Sequence, residues 1–538
     1  MPTSNSSFVR VRAVLVLLVS LAALLPAAAV AESGGEAYRQ TVLSIQQHIQ
    51  SGDLDGAQAL LGTALGHFPA DGGLENLLGV VEIQQGHADR ARKAFASAIR
   101  HSPRLVSAYL NLGRVDMETA ANSTADRVEA LRAYEGALKL EPGNAEANYQ
   151  AATLLMWAGQ YQRSVDRLAK LKPEEQQQIG VIGLFCVDEA ALGHIEEARQ
   201  RAAVLDASPE LNEQLAMILL PGLKAARRAD LIVPMFLAID TRGGLSASGL
   251  HILGLAQEAV GELKAARATL ERCYARDPSS VVPLVDLARV AESSGDQRGA
   301  LGYLAHARTM EPKNAELPYL FGVVCAKMNL LGEARKAFGE AVALDPADAQ
   351  YNLAMGTVAS FGHDPLASLS YLQKYHELRP ADPVGMLALG QAYFRAKDYD
   401  HATPWLQKAA SLPRTAARAL YYLGRIARDK DNVGEALRDL IRSDKLAPRQ
   451  PEVMAEIGQI YVETKRYAEA QKELDAALAL DQDNYAANFG LLQLYARTQD
   501  ARLQAEQKRF EAVKNKREEE SREMMRVIEI DPKGHHKP

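Results

Sequence analysis

The chain has 538 residues, 47% of them apolar and 24% charged, with a formal net charge of −6. That length exceeds one ordinary domain, and that composition excludes a largely disordered chain, a collagen and a multi-span membrane protein. A mildly acidic chain has no general attraction for nucleic acid, and three cysteines in such a length make no disulfide framework.

The first predicted element is an address. Arg10 and Arg12 precede an apolar run from Ala13 to Leu25, Pro26 breaks the run, and Ala29 and Ala31 bring small side chains to an A-x-A site. The pattern predicts a bacterial-type export signal over residues 1–31, cleaved after Ala31, and a mature chain that is periplasmic or secreted. No later run of about 18 apolar residues occurs, so the mature chain is expected not to span a membrane. Residues 32–37 read as a short linker.

From residue 38 to residue 484 a 34-residue period governs the sequence. One register holds Gly322, Gly356, Gly390, Gly424 and Gly458. Twelve residues on, a second holds Ala334, Ser368, Ala402, Ala436 and Ala470. Sixteen on, a third holds Phe338, Leu372, Leu406, Leu440 and Leu474. A fourth holds Pro278, Pro312, Pro346, Pro380 and Pro448. Gly79 and Gly113 carry the pattern into the N-terminal part, where about five extra residues around 121–125 shift the frame once. The span of 447 residues therefore reads as thirteen units of 34 with one five-residue insertion.

Each register has a physical reason. Apolar residues recur at helical spacing in two stretches per unit, as in Ala417 to Arg428 and Gly434 to Leu446. Small residues in the first and second registers let the two helices approach, and the large residue of the third fills the space between neighbours. Glycines between the stretches, such as Gly86, Gly193 and Gly261, suit a left-handed residue closing the first helix. The proline cannot continue the second helix and so ends it. One pair cannot bury its own apolar face, so the units must stack. The predicted fold class is all-α, an α-solenoid of antiparallel helix pairs. Its arrays are expected at 38–212 and 247–484. Between them, at 213–246, Leu220, Ile232 and Gly244 miss three registers, which predicts a degenerate repeat or joint. Residues 485–538 read as a capping helix with a charged tail.

Small-residue, Ala, large-apolar and Pro registers at this period resemble the tetratricopeptide repeat. The stretch LYYLGRIARDKDNVGEALRDLIRSDKLAPRQ, residues 420–450, is one clear copy, and residues 319–348 hold another. The resemblance implies a right-handed superhelix whose first helices line a concave groove that binds a protein or peptide segment. It also implies which first-helix positions face that groove. On that basis the candidate partner-binding residues are Tyr149, Trp157, Arg289, Tyr319, Gln391, Phe394, Arg395, Tyr421, Arg425 and Arg428. Tyrosine and arginine combine contact area with directional hydrogen bonding.

Catalytic and ligand motifs are missing from the sequence: it holds no H-E-x-x-H, no phosphate-binding loop and no C-x-x-C. No catalytic residue, cofactor or metal site is expected. Cys186, Cys273 and Cys325 fall where other units place core residues, and His535-His536 reads as a terminal tail. The expectation is an exported, non-enzymatic scaffold for a protein partner, set in a bacterial envelope assembly. The alternatives are a carrier or assembly factor for an envelope polysaccharide, and a substrate-binding arm of an enzyme complex. The partner's identity and the oligomeric state are not written in the chain.

Overall fold

The computed structural model describes residues 32–120, 123–361 and 365–529. The predicted signal at 1–31 and the His535-His536 pair lie outside them. Among the described residues there are 29 α-helices, one short 3-10 turn and no strand, an all-α solenoid architecture. None of these helices is long and apolar enough to cross a membrane. The chain divides into two compact units, Met1–Leu245 and Ser246–Pro538.

In the first unit, Glu32–Ser51 pairs with Leu54–His67, Gly72–Gln84 with Ala88–His101, and Val106–Ala120 with Thr124–Leu140. Ala145–Trp157 then pairs with Tyr161–Leu168, Ile179–Leu192 with Ile195–Ala207, and Glu213–Ala225 with Ala229–Gly243. In the second unit the first helices are Ala247–Ala259, Val282–Ser293, Glu316–Lys327, Ala349–Ala359, Pro383–Arg395, Ala416–Asp429, Pro451–Glu463 and Tyr485–Thr498. Each is followed by its own second helix, the last being Leu503–Glu529. In this unit each second helix down to Tyr467–Leu480 also packs on the next first helix, so the pairs share one core. The Phe510 ring of Leu503–Glu529 rests on Tyr485 and Phe489, at 4.9 and 5.6 Å between centroids, and Val513 of the same helix is buried.

The registers meet as contacts. A Cβ at Gly322 would stand 2.7 Å from the Phe338 ring, and one at Gly424 would stand 2.7 Å from Leu440 Cγ. The same clash recurs between Gly79 and Phe95, Gly254 and Leu270, Gly390 and Leu406, and Gly458 and Leu474. Only a residue without a side chain lets the first helix sit this close to the large residue of the second. Gly113 meets Tyr134 instead, twenty-one residues on, because the insertion lengthens that connection.

Turns between paired helices repeat too. Gly52, Gly86, Gly159, Gly193, Gly261 and Gly295 all have positive φ, and so do Arg227, Asn329, Lys397, Asp431, Lys465 and Gln499 on the same period. Later turns thus place ordinary side chains where glycine is cheapest, at a strain of roughly 1 kcal/mol each. Side chains of Asp53, Asn144, Asp296, Asp348 and Asn484 cap the helices that follow them.

At the weak stretch the stacking changes. Ile195–Ala207 packs on Ala229–Gly243, and Ile179–Leu192 packs on Glu213–Ala225, so first meets first and second meets second. Gly222 allows this, since a Cβ there would stand 2.3 Å from Val187 and 2.6 Å from the Met156 sulfur.

Two glycine replacements should separate contact from propensity. Gly322→Val drives a branched side chain into the Phe338 ring and should cost about 1–3 kcal/mol in urea denaturation. Gly302→Ala, on an exposed helix position with open space around it, should instead gain about 0.5–1 kcal/mol.

Candidate partner-binding surface

Stacking leaves one face of each unit formed by first helices lying side by side. In the second unit, polar side chains join neighbours across this face at spacings near 34 residues. His251 Nε2 lies 2.6 Å from Asp286 Oδ2, and Lys327 donates to Glu292 at 2.9 Å. Arg289 joins Glu258 at 2.8 Å and Asp286 at 2.5 Å. Tyr319 is half-buried, its ring tilted on Tyr351 at 5.0 Å and on Phe338 at 5.8 Å.

The densest cluster spans Pro383–Arg395, Ala416–Asp429 and Pro451–Glu463. It brings together Phe394, Arg395, Tyr421, Arg425 and Arg428. Phe394 is buried, edge-on to Tyr422 at 5.0 Å, with the Arg425 guanidinium over its ring at 5.1 Å. Tyr421 is buried as well, and burial pushes its phenol above the usual range. Arg425 reaches Glu456 at 3.3 Å. Arg428 reaches Glu456 at 2.5 Å, Gln459 at 3.0 Å and Glu463 at 2.6 Å. These two arginines tie one first helix to the next. Gln391 is half-buried on the same helix as Phe394.

Arg395 differs from them. It donates to the Ser360 hydroxyl at 3.1 Å, and its guanidinium lies 3.8 Å from the centre of the Phe361 ring. Phe361 was not among the sequence candidates and is 54% exposed. Arg418, also missed, is exposed and lies over Tyr421 and Tyr422 at 5.2 and 5.4 Å. A search for aromatic and arginine residues on neighbouring first helices would have found Arg418; Phe361 lies in the turn after Ala349–Ala359, where that search does not reach.

In the first unit the candidates serve packing. Trp157 donates its indole N–H to the Ile218 carbonyl at 3.0 Å and sits under Arg127 at 5.4 Å. Tyr149 is half-buried, its hydroxyl close against Gly180. The bond from Trp157 draws Ala145–Trp157 onto Glu213–Ala225, so three successive first helices close on one another. The middle one, Ile179–Leu192, buries Asp188 completely. Burial pushes the Asp188 carboxyl up to about 8; the Ser164 hydroxyl beside it, which donates to the Ala152 carbonyl at 3.0 Å, opposes the shift only in part. The three cysteines are buried, and burial pushes the Cys186 and Cys325 thiols up to about 12 and about 11.

Known proteins share the repeat. Residues 48–114 and 124–182 match one family model of the tetratricopeptide repeat, and residues 385–415 and 451–484 match another. The RNA polymerase-associated protein CTR9 of Caenorhabditis elegans is 24% identical over 277 residues, 42% of this chain. The chain spans 24% of that relative's length. A solved tetratricopeptide repeat protein from Parabacteroides merdae is 12% identical at a TM-score of 0.42, covering 47% of this chain and 99% of its own. A chain of the APC/C hetero-tetramer Cut9–Hcn1 is 15% identical at a TM-score of 0.38, covering 86% of this chain and 97% of its own. Both scores lie below 0.5.

Two variants test the electrostatics. Glu456→Ala leaves Arg425 and Arg428 without a shared carboxylate and should cost roughly 1–3 kcal/mol of stability in urea denaturation, with Glu456→Gln costing less. For Asp188 the folded chain keeps a proton that the unfolded chain releases above about pH 4. Native stability should therefore fall by roughly 1 kcal/mol per pH unit from that point and level off above pH 8. Asp188→Asn should remove that slope in urea titrations between pH 5 and pH 9.

Proposed function

We propose that this chain, whose repeats match models of the tetratricopeptide repeat, works as an exported, non-enzymatic scaffold holding a segment of a protein partner. The repeats make it a scaffold for protein interactions. The finer reading puts the partner on the first-helix face of the second unit. What carries that reading is the exposed Phe361 ring beside Arg395, followed along the same face by Arg418 over Tyr421 and Tyr422. Aromatic and arginine side chains of this kind supply most of the binding energy at protein interfaces. In the first unit the corresponding tyrosine and tryptophan are spent on helix packing.

Export rests on Arg10, Arg12, the apolar run and the Ala29/Ala31 pair, and an envelope setting follows from it. The RNA polymerase-associated relative shares repeats over a quarter of its length; its association is not carried over.

A photo-crosslinking amino acid at position 361, and separately at 438 on the second helix Val433–Leu446, tests both parts in the native host. Position 361 should give a discrete protein adduct that position 438 does not, on a chain whose N-terminus is Glu32. Equal labelling from both sites, or adducts with polysaccharide alone, would contradict the scaffold reading. An intact N-terminus would contradict export by cleavage.

A further inference from the structure

Six lysines and arginines lie on the first helices between residues 247 and 463. Four of them touch carboxylates: Arg289, Lys327, Arg425 and Arg428. Arg395 and Arg418 are the exceptions, and among the described residues no carboxylate lies within ion-pair distance of either. Both belong to neighbouring helices of one cluster. Arg395 is half-buried between the Ser360 hydroxyl and the Phe361 ring. Burial, with repulsion from Arg418 added to it, pulls the Arg395 guanidinium below its usual range.

A half-buried cation without a counter-charge is costly, and a second cation nearby raises the cost. The rest of this face shows that the chain supplies acidic partners where it needs them. Glu258, Glu292 and Glu456 each stand roughly one repeat away from the base they neutralise. One repeat before Arg395 the same row offers Ser360 instead, and Arg418 lies over the tyrosine rings of its own helix. Beside them the exposed Phe361 ring presents aromatic surface suited to an apolar side chain.

We propose that Arg395 and Arg418 form the acceptor for an acidic segment of the partner protein, with glutamate or aspartate side chains meeting the two guanidinium groups and an adjacent apolar side chain lying on Phe361. The chemistry fits the occupant. Guanidinium groups pair bidentately with carboxylates, such bonds strengthen where water is partly excluded, and Phe361 supplies the apolar contact. On a chain of net charge −6, this local pair of cations is the feature that attracts an acidic segment. The inference rests on the scaffold reading and narrows it to one chemistry.

The test uses the full mature chain and fluorescein-labelled decapeptides containing alternating Glu and Phe/Leu, with Gln-for-Glu counterparts, read by anisotropy. The Glu peptides should bind at least tenfold more tightly than the Gln peptides. They should lose at least tenfold on Arg395→Gln/Arg418→Gln, and should weaken as salt rises. A control variant, Arg438→Gln on the second helix, should bind as the parent does. Circular dichroism melts of each variant separate lost binding from lost folding. Equal binding of Glu and Gln peptides, no binding at all, or an unaffected double variant that melts as the parent does would overturn the proposal. Inorganic phosphate displacing the peptide at equal concentration would reduce the site to a simple anion site and overturn it as well. A protein adduct at position 361 together with failure of the Glu peptides would leave the scaffold reading standing and remove the acidic segment.

Discussion

Seven of the helix pairs turn on one close approach, a glycine of the first helix against a large apolar side chain sixteen residues later. Gly322 with Phe338 and Gly424 with Leu440 show what it requires. The glycine gives up helix propensity, about 1 kcal/mol relative to alanine. In return the large side chain is buried against backbone, and burying it contributes roughly 1.5–3 kcal/mol. The large residue recurs at fixed spacing, so neighbouring pairs inherit the same crossing and the next first helix finds the same seat. A surface made of first helices is then a consequence of packing.

The approach was legible in the sequence because both of its members recur on one period. The registers that hold Gly390 and Leu406 define the contact before any coordinate does. The turns were legible only where glycine marks them. Lys397, Asp431 and Lys465 adopt the same left-handed conformation with no glycine to signal it, because the paired helices on either side fix the chain path and override local preference. The change of stacking at 195–243 shows in the sequence only as missed registers. Its cause, the seat that Gly222 offers to Met156 and Val187, is a contact between units that no single register records.

The candidate surface was legible in kind and not in detail. Resemblance to the repeat family picked first-helix aromatics and arginines, and five of them do gather at 394–428. Whether each is free depends on a residue one or two repeats away. Arg428 is engaged because Glu463 stands thirty-five residues on, and Trp157 because the Ile218 carbonyl reaches it across sixty-one. Arg395 stands apart because Ser360 occupies the place where a carboxylate would have paired it. The proposed division of labour follows: arginines with acidic neighbours hold the stack together, and those with none among the described residues are left to a ligand.

A double-mutant cycle on Gly424 and Leu440 measures the founding contact most directly. If the two share one volume, Gly424→Val and Leu440→Ala each destabilise the chain, and together they recover at least about 1 kcal/mol relative to their sum. Strictly additive losses would mean that the small and large registers act independently, and the account of how the stack forms would fail.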